Sequence, residues 1–231
     1  KGKERPTVQL IDITVKNGVY SFNFDKLTQW IEMAHRCNIT YFELSHFYTQ
    51  WGAKHAPKIM ATVDGKYKQI FGWKTRTSSK EYDKFLRSFA AELIKVIDSE
   101  GIREKCLFHI SDEPHVEHLE RYGAARAQVS EHLRGFVIMD ALSNYDFYRA
   151  GVVERPIPST LRIQPFLDGN VPNLWTYYCC AQHNRVSNRF MSMPSARNRI
   201  IGYQFYKYNI VGFLQWGYNF YFCQGSVYPI N

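Results

Sequence analysis

Residues 106–114 read CLFHISDEP, an apolar run that ends in two adjacent carboxyls and a proline. The apolar and aromatic side chains of residues 106–111 are typical of a buried strand. Pro114 is favoured in the first turn of a helix, and a helical pattern of apolar residues continues from it to about residue 132. The stretch therefore predicts a strand followed by a helix, with Asp112 and Glu113 at the junction.

The same alternation of strand and helix patterns extends in both directions. A helix is predicted over residues 25–36, and a longer helix begins after Ser79 and is closed by Gly101. The apolar runs that predict strands are residues 8–14, 39–44, 106–111, 136–139, 161–165, 174–179 and 210–216. Such alternation favours parallel βαβ units. We therefore expect an α/β fold, a (β/α)8 TIM-like barrel, incomplete or trimmed because seven strands are one too few.

Residues 1–231 are expected to form a single barrel domain, since this length is close to the roughly 250 residues typical of the fold. The sequence has no internal repeat, low-complexity segment or linker that would divide it. The segment 45–80 is polar and aromatic and much longer than an ordinary βα connection. Its length indicates a functional loop.

The net charge is +8, from 29 Lys and Arg against 21 Asp and Glu, which would permit an anionic partner. The basic residues are scattered without a run of five, which favours an ordinary solvated surface. The usual nucleic-acid motifs are missing, and no apolar run is long enough to span a bilayer. We expect no nucleic-acid partner and no membrane insertion, and the oligomeric state stays open.

Five cysteines stand at positions 37, 106, 179, 180 and 223, an odd number without a Cys-x-x-Cys pair. This usage suits a reducing compartment, so we expect a cytoplasmic protein. The chain opens at Lys1 without a Met or a signal-like apolar stretch, which suggests a fragment without the native N-terminus. Aromatic residues reach 16%, a content that suits either sugar-stacking side chains or an aromatic core.

Polar and aromatic residues follow most of the predicted strands. They are Ser45, His46, Asp112, Glu113, Asp140, Gln164, Tyr177, Tyr178, Trp216 and Asn219. In a barrel these positions converge on the C-terminal mouth, where sites are built. Strand ends are also polar because they meet water, so the convergence of several residues is what indicates a site.

Two neighbouring carboxyls can divide a reaction between them, since repulsion and partial burial raise one pKa and leave the other group ionised. Adjacent residues rarely flank one glycosidic bond as the two carboxyls of ordinary glycosidases do. They suit a substrate-assisted route, in which one carboxyl protonates the leaving oxygen and its neighbour holds a 2-acetamido group whose carbonyl oxygen attacks the anomeric carbon. The alternative is a plain helix start, where acidic side chains and proline are both favoured.

Seven segments spread over most of the chain carry a further pattern. They are YFELSH (41–46), TQWGAK (49–54), VDG (63–65), FGW (71–73), HISDEP (109–114), LWTYY (174–178) and GFLQWG (212–217). These segments resemble glycoside hydrolase family 123 and the related domain of unknown function 4091. The resemblance implies a retaining β-N-acetylgalactosaminidase that works through an oxazolinium intermediate. It also implies that Glu113 is the general acid/base and that Asp112 orients the acetamido group.

Further site candidates are expected around the carboxyl pair. Trp73, Trp175 and Trp216 are candidates for a sugar-stacking platform. The candidates for hydroxyl contacts are His46, Gln50, His109, Tyr178 and Asn219. Protonation and an internal nucleophile suffice for this chemistry, and the histidines lack zinc-site spacing, so we expect no cofactor and no metal. The expected partner is a carbohydrate substrate.

Two other readings stay open. In a conventional two-carboxylate glycosidase, Glu113 would be paired with Glu43 or Asp140 from a neighbouring strand. A non-catalytic carbohydrate-binding protein would keep an aromatic cleft without turnover. The sequence leaves open the galacto or gluco configuration of the sugar, its linkage, and endo or exo action.

Overall fold

The computed structural model describes residues 8–217 and the backbone of residues 222–223 and 228–229. Its strands are β1 (Asp12–Lys16), β2 (Val19–Asn23), β3 (Phe42–Glu43), β4 (Ile59–Val63), β5 (Lys66–Phe71), β6 (Cys106–Phe108), β7 (Val137–Ala141), β8 (Arg155–Ile157), β9 (Trp175–Tyr177), β10 (Gly212–Leu214), β11 (Phe222–Cys223) and β12 (Tyr228–Pro229). Its α-helices are α1 (Asp25–Arg36), α2 (Lys80–Ser99), α3 (Leu119–Ser130), α4 (Asp146–Arg149), α5 (Gln164–Asp168), α6 (Ser195–Arg199) and α7 (Ile201–Lys207). Two 3-10 turns lie at Arg103–Lys105 and Val116–His118.

Six parallel strands form the frame of the molecule. The strands β3, β6, β7 and β8 make one parallel sheet in that order, and β9 pairs in parallel with β10. A parallel bridge between Ser159 and Tyr177 links the two groups, and each connection between neighbouring strands carries at least one helix. The α/β class is confirmed. Among the described residues no strand pairing joins β10 back to β3, so closure into a barrel stays a prediction.

The two faces of these strands enter different apolar cores. Phe42, Phe108 and Ile138 belong to the larger buried cluster, which also contains Tyr122 of α3. The alternate positions, among them Leu107, Met139, Ile157 and Tyr177, form a second buried cluster on the opposite face. The short strands are therefore apolar on both sides, which explains why their sequences read as continuous apolar runs.

The prediction that residues 8–14 form a strand of the parallel frame was wrong. The strand found there, β1, belongs to a separate sheet of order β2-β1-β4-β5, which packs on α2 through contacts such as Phe22 with Phe85. Asn17 and Gly18 both have positive φ, 53° and 73°, and they turn the chain back into a hairpin before it can reach the frame.

The segment 45–80 is partly a second hairpin rather than one long loop. Strands β4 and β5 pair antiparallel around Asp64 and Gly65, whose φ values of 48° and 84° again give an Asp-Gly turn. The hairpin extends the side sheet through β1, which pairs in parallel with β4. The irregular part of the segment is thereby limited to the stretch before β4 and the stretch after β5.

The predicted strand over residues 161–165 was also wrong, because this part of the chain enters helix α5. Pro165 occupies the first turn of that helix, and Leu161 is 43% exposed, unlike a residue of a central strand. The strand of the frame is β8 instead, whose sequence contains Pro156 and is followed by Pro158. The two prolines make this strand hard to recognise in the sequence, because proline has no backbone N–H to donate to a neighbouring strand.

The helices predicted over residues 25–36 and after Ser79 agree with the structure, whereas the helix predicted from Pro114 begins later. Helix α1 spans 25–36 as its periodicity indicated, and the Ser79 side chain caps α2 by accepting a hydrogen bond from the backbone N–H of Tyr82 at 3.1 Å. Beyond Pro114 the chain forms the 3-10 turn first and then α3. Within the described residues, every helix is too short or too polar to cross a membrane.

Candidate functional site

Asp112 and Glu113 lie past the C-terminal end of β6, beside the end of β7. The backbone N–H of Glu113 donates to the carbonyl oxygen of Ala141, the last residue of β7, at 2.8 Å. Both side chains are half-buried. The structure therefore puts the carboxyl pair at the carboxyl ends of the parallel strands, the edge at which α/β enzymes build their sites.

Glu113 is held by an unusual backbone and by a phenol. Its φ is 44°, in the left-handed region that side chains other than glycine seldom adopt. The hydroxyl of Tyr177, at the end of β9, donates to Oε1 of Glu113 at 2.7 Å. Burial raises the pKa of Tyr177, and the hydrogen bond to Glu113 raises it further, so the phenol keeps its proton. Glu113 thus has one oxygen fixed by a permanent donor.

The segment of residues 49–55, here called the 49–55 loop, supports the backbone of Asp112. The N–H of Trp51 donates to the carbonyl oxygen of Asp112 at 2.8 Å. The Ser111 hydroxyl donates to the carbonyl oxygen of Thr49 at 2.8 Å and accepts from the N–H of Ala53 at 3.0 Å. The Trp51 side chain is 56% exposed, and its backbone contacts Asp112, so it is an accessible aromatic residue that was not among the site candidates of the sequence.

Asp140 organises the chain just before the carboxyl pair. Its Oδ2 accepts hydrogen bonds from the N–H groups of Ile110 and Ser111 at 3.0 and 3.3 Å. The hydroxyl of Tyr122, from α3, donates to the same oxygen. Asp140 is fully buried, so it joins the helix layer to the end of β6 and has no free face toward a substrate.

A buried histidine connects Asp140 to Glu43. Nδ1 of His109 lies 3.1 Å from Oδ1 of Asp140. Nε2 of His109 lies 3.0 Å from Oε1 of Glu43, but the angle of this second contact is not that of a regular hydrogen bond. Burial alone would lower the pKa of His109, but the two carboxylates outweigh it and raise that pKa to about 9. For Glu43, burial acts to raise the pKa, but the interaction with His109 outweighs burial, and the pKa of Glu43 is lowered. Glu43 is therefore an ionised, half-exposed carboxylate at the same strand edge.

His46 lies beside this group. Its Nε2 is 3.7 Å from Oδ1 of Asp140, and its ring centroid is 4.7 Å from that of His109. Burial lowers the pKa of His46 to about 4, although Asp140 opposes the shift. The ring is therefore neutral near pH 7, and about a third of it is exposed, so it can offer a hydrogen bond toward the strand edge.

His46, His109 and Asp140 are also the described residues with the geometry to hold a cation. Their donor atoms all lie within 4.8 Å of one another. His109, however, carries a proton up to about pH 9, and Oδ2 of Asp140 already accepts three hydrogen bonds. A metal would have to displace the proton from Nδ1 of His109, so the donor set fits a hydrogen-bonded ion pair better than a metal site.

The other predicted site residues are distributed around the strands. Trp175 lies two residues before Tyr177, and its indole packs on Gly212, where an added Cβ would come within 2.2 Å of the ring. The Tyr178 ring is buried on the opposite side of β9 and packs on Phe213 at 4.7 Å. Neither side chain touches the carboxyl pair through the contacts found for the described residues, and their binding roles stay predictions.

Three further candidates lie on loops, and one cannot be placed. Gln50 is half-buried in the 49–55 loop, next to Trp51. Trp73 and Trp216 are exposed, at 38% and 56%, and are thus accessible to a ligand. Asn219 lies outside the described residues. Glu43 and Tyr177, which do join the site, had appeared in the sequence only as a possible partner carboxyl and as one of several strand-end residues.

Comparison with known proteins gives this site a context. The sequence profile of the glycoside hydrolase 123 catalytic domain matches residues 1–226. A solved structure of a family 123 glycoside hydrolase from Clostridium perfringens, described in terms of glycolipid glycan hydrolysis, is similar with a TM-score of 0.67 and 13% sequence identity. The match covers 90% of this chain and 38% of that protein, and at this identity it shows a shared fold alone. A comparison with curated protein sequences gives no match.

Proposed function

This chain belongs to the glycoside hydrolase 123 catalytic-domain family, and from that premise we propose that it hydrolyses terminal β-linked N-acetylhexosamine, N-acetylgalactosamine in particular. The proposed reaction retains configuration and uses the 2-acetamido group of the substrate as the nucleophile. Glu113 is the general acid/base, and Asp112 orients the acetamido group and stabilises the oxazolinium. A carbohydrate is the substrate, and no cofactor or metal takes part.

The observation that carries the proposal is the support of Glu113. Its backbone is anchored to Ala141, and Oε1 accepts the Tyr177 hydroxyl at 2.7 Å. One oxygen is occupied by a fixed donor, which leaves the other for the glycosidic oxygen. A general acid must be held within hydrogen-bond reach of its target, and this arrangement supplies that positioning.

Asp112 is supported independently through its main chain. Its carbonyl oxygen accepts the N–H of Trp51, and the preceding Ser111 is tied to the 49–55 loop. A carboxylate on an anchored backbone beside the general acid can hold the acetamido N–H and oppose the positive charge that develops on cyclisation. The two neighbouring carboxyls then serve different atoms of one substrate.

Of the two carboxylates that could serve as the nucleophile in a conventional two-carboxylate mechanism, Asp140 and Glu43, the structure favours Glu43. Asp140 is fully buried, and both of its oxygens face protein donors, so it is a poor candidate for attack on a sugar. Glu43 remains a possible partner because it is half-exposed and ionised. The experiment must therefore separate an internal acetamido nucleophile from a Glu43 nucleophile.

The test is a panel of aryl β-glycosides of N-acetylgalactosamine, N-acetylglucosamine and their non-acetylated parents. We expect turnover of the acetylated sugars only, with inhibition by a thiazoline that mimics the oxazoline. Glu113→Gln should lose far more activity on poor leaving groups than on activated ones, whereas Asp112→Asn should lower kcat on both. Equal cleavage of a non-acetylated parent would overturn substrate assistance.

Glu117→Gln is the matched control, because Glu117 is an exposed carboxylate four residues after the general acid. It should retain the activity of the unaltered chain on every substrate. Glu43→Gln distinguishes the remaining alternative: loss of a covalent glycosyl intermediate in that variant would identify Glu43 as a nucleophile. Sugar binding without turnover in the unaltered chain, unchanged in Glu113→Gln, would favour a carbohydrate-binding protein.

A further inference from the structure

A cavity of about 710 Å³ lies between α3 and the start of α2, and its lining does not include the carboxyl pair. The segment that precedes α2 forms one wall and contributes the hydroxyls of Thr77 and Ser78. Helix α3 forms the opposite wall with the small side chains of Ala124 and Ala127. The alanines leave room for a ligand, and the hydroxyls offer hydrogen-bond donors to it.

Four cationic side chains line this cavity: Lys54, Arg76, Lys80 and Arg121. They come from three separate parts of the chain, and therefore their sequence positions give no sign of a cluster. In the described part of the chain, no carboxylate lies within salt-bridge distance of any of the four. The cavity thus concentrates positive charge, and Glu81, the carboxylate that interacts with Lys80, lies outside its lining.

The acidic side chain in the cavity wall, Asp83, is already engaged. Its carboxylate accepts the Nε–H of Arg87 at 2.8 Å and the side-chain N–H of Gln128 at 3.0 Å. Arg87 lies outside the lining and Gln128 lies within it, so one oxygen of Asp83 still faces the cavity wall. One carboxylate among four cationic side chains leaves the lining with an excess of positive charge, which an anionic ligand would offset.

The pKa of His55 is affected by several of these cationic side chains. Partial burial is the main reason that its pKa is lowered, and Lys54, Arg76 and Arg121 all act in the same direction. These three cations are therefore all within electrostatic range of one imidazole, as expected for residues that line one cavity. The positive end of α2, a helix of 20 residues, adds to the same field at Lys80.

We propose that this cavity is a binding site for a tetrahedral oxyanion, a sulfate or phosphate group, separate from the carboxyl pair. Several cations and hydroxyls around one space suit an anion with three or four acceptor oxygens. The group is either a free inorganic ion or an ester on a sugar. The occupancy of this site can be measured without turnover, so a failure of this proposal can be told apart from a failure of the proposed function.

The site is coupled to the 49–55 loop. Lys54 belongs to that loop, and Nε of Arg121 donates to the carbonyl oxygen of Gly52 at 2.6 Å. The same loop supports Ser111 and Asp112 on its other side. A bound oxyanion would therefore draw together the loop and α3, next to the backbone of the carboxyl pair.

The experiment is a calorimetric titration of the intact chain with sodium sulfate and with sodium phosphate, at constant ionic strength set by sodium chloride. A second arm compares N-acetylgalactosamine sulfate with unsulfated N-acetylgalactosamine. We expect saturable one-to-one binding of an oxyanion, weakened at least tenfold in the double variant Arg76→Gln, Lys80→Gln. Both altered side chains are exposed, so the fold should be retained, and circular dichroism checks this.

The matched control is Lys66→Gln, Lys68→Gln, which removes the same charge from two exposed residues of β5. It should bind the oxyanion as the unaltered chain does. Stronger binding of the sulfated sugar than of both inorganic sulfate and the unsulfated sugar, with the advantage lost in Arg76→Gln, Lys80→Gln, would identify an ester on a glycan as the ligand. Stronger binding of inorganic sulfate or phosphate than of the sulfated sugar would identify the free ion. Binding that does not saturate, or equal weakening in both double variants, would overturn the proposal.

Discussion

Glu113 and Tyr177 form a pair that joins β9 to the chain after β6. The phenol reaches Oε1 of Glu113 at 2.7 Å, while the backbone of Glu113 has a φ of 44°. A left-handed glutamate costs of the order of 1 kcal/mol and persists when its surroundings hold it. Here the bond to Ala141 and the bond from Tyr177 hold it from two sides.

Removing the phenol hydroxyl should impair proton transfer more than it impairs folding. We expect Tyr177→Phe to lower kcat/KM about tenfold on aryl glycosides with poor leaving groups, because a hydrogen bond to a charged carboxylate contributes about 1.5 kcal/mol. Activated substrates should be affected less. Steady-state kinetics over a leaving-group series measures the difference, with Tyr203→Phe, an exposed tyrosine of α7, as the control. A uniform loss on all substrates would contradict a role through Glu113.

Asp140 should matter mainly for stability. An asparagine at this position would turn its N–H₂ either toward the Ile110 and Ser111 N–H groups or toward His109, so one buried donor would face another. Breaking a buried ion pair costs about 3 kcal/mol or more. We expect Asp140→Asn to lower Tm by about 10 °C in thermal denaturation. Asp146→Asn, which breaks an exposed pair with Arg149, should change Tm by about 1 °C or less.

At this scale the sequence allowed part of the site to be predicted. The junction of a strand with Asp112 and Glu113 was readable because polar residues follow an apolar run. The partnership of Glu43, His109 and Asp140 was not, because the three residues are brought together only by the pairing of β3, β6 and β7. A titratable residue at a strand end could be identified, but its neighbour could not.

At the scale of elements, local turn chemistry explains both the successes and a mistake. Asn17-Gly18 and Asp64-Gly65 are strong two-residue hairpin sequences, and both residues of each pair have positive φ. Reading them as hairpins would have taken β1 out of the parallel frame and would have predicted β4 and β5 within the segment 45–80. Helices α1 and α2 were predicted correctly because their periodicity and caps are local.

Gly52 is the position at which the 49–55 loop meets the turn before α3. Its φ is 98°, and an added Cβ would lie 2.3 Å from Cγ of His118. We expect Gly52→Ala to destabilise the fold by about 3 kcal/mol, from strain and overpacking together. Because Trp51 and Ala53 support Asp112 and Ser111, activity should fall in the same variant. Urea denaturation and aryl glycoside kinetics measure the two effects.

The variant Gly65→Ala is the control that separates backbone strain from steric overlap in Gly52→Ala. Gly65 has a φ of 84°, but an added Cβ there would meet no atom within 4 Å. It should cost about 1 kcal/mol from backbone strain alone and should retain activity. If Gly52→Ala destabilised the fold no more than Gly65→Ala did, the close contact with His118 would not constrain the loop.

For the whole molecule, the alternation of strands and helices along the chain could be predicted from the sequence. Which segments pair and pack together could be predicted only in part. Alternating patterns predicted the α/β class, since at least one helix lies in sequence between any two neighbouring strands of the frame. Strand β8 was missed because Pro156 makes it look unlike a strand, although a parallel ladder tolerates it at this position. The gathering of four scattered cations around one cavity likewise depends on tertiary packing, which composition does not contain.

The stability of the whole molecule should depend on pH through His109. Its pKa in the folded chain is about 9, against an ordinary value of 6.5. The protonated ring therefore stabilises the fold fully below about pH 6.5, and this contribution is lost as the pH rises through about 9. His46 acts on the acid side, because its pKa is lowered to about 4 and its contribution is lost as the pH falls from 6.5 through 4. The two histidines thus influence different pH windows.

We expect the free energy of unfolding to fall by the order of 3 kcal/mol between pH 6.5 and pH 9.5, measured by urea denaturation at several pH values. His109→Gln keeps a donor for Asp140 but cannot carry a charge, so it should be less stable than the unaltered chain at pH 6.5 and nearly as stable at pH 9.5. His46→Gln should keep the alkaline loss and change the profile only below pH 6.5. An alkaline loss of the same size in His109→Gln would mean that another group controls it, and the ion pair of His109 with Asp140 and Glu43 would then contribute little to the stability of the fold.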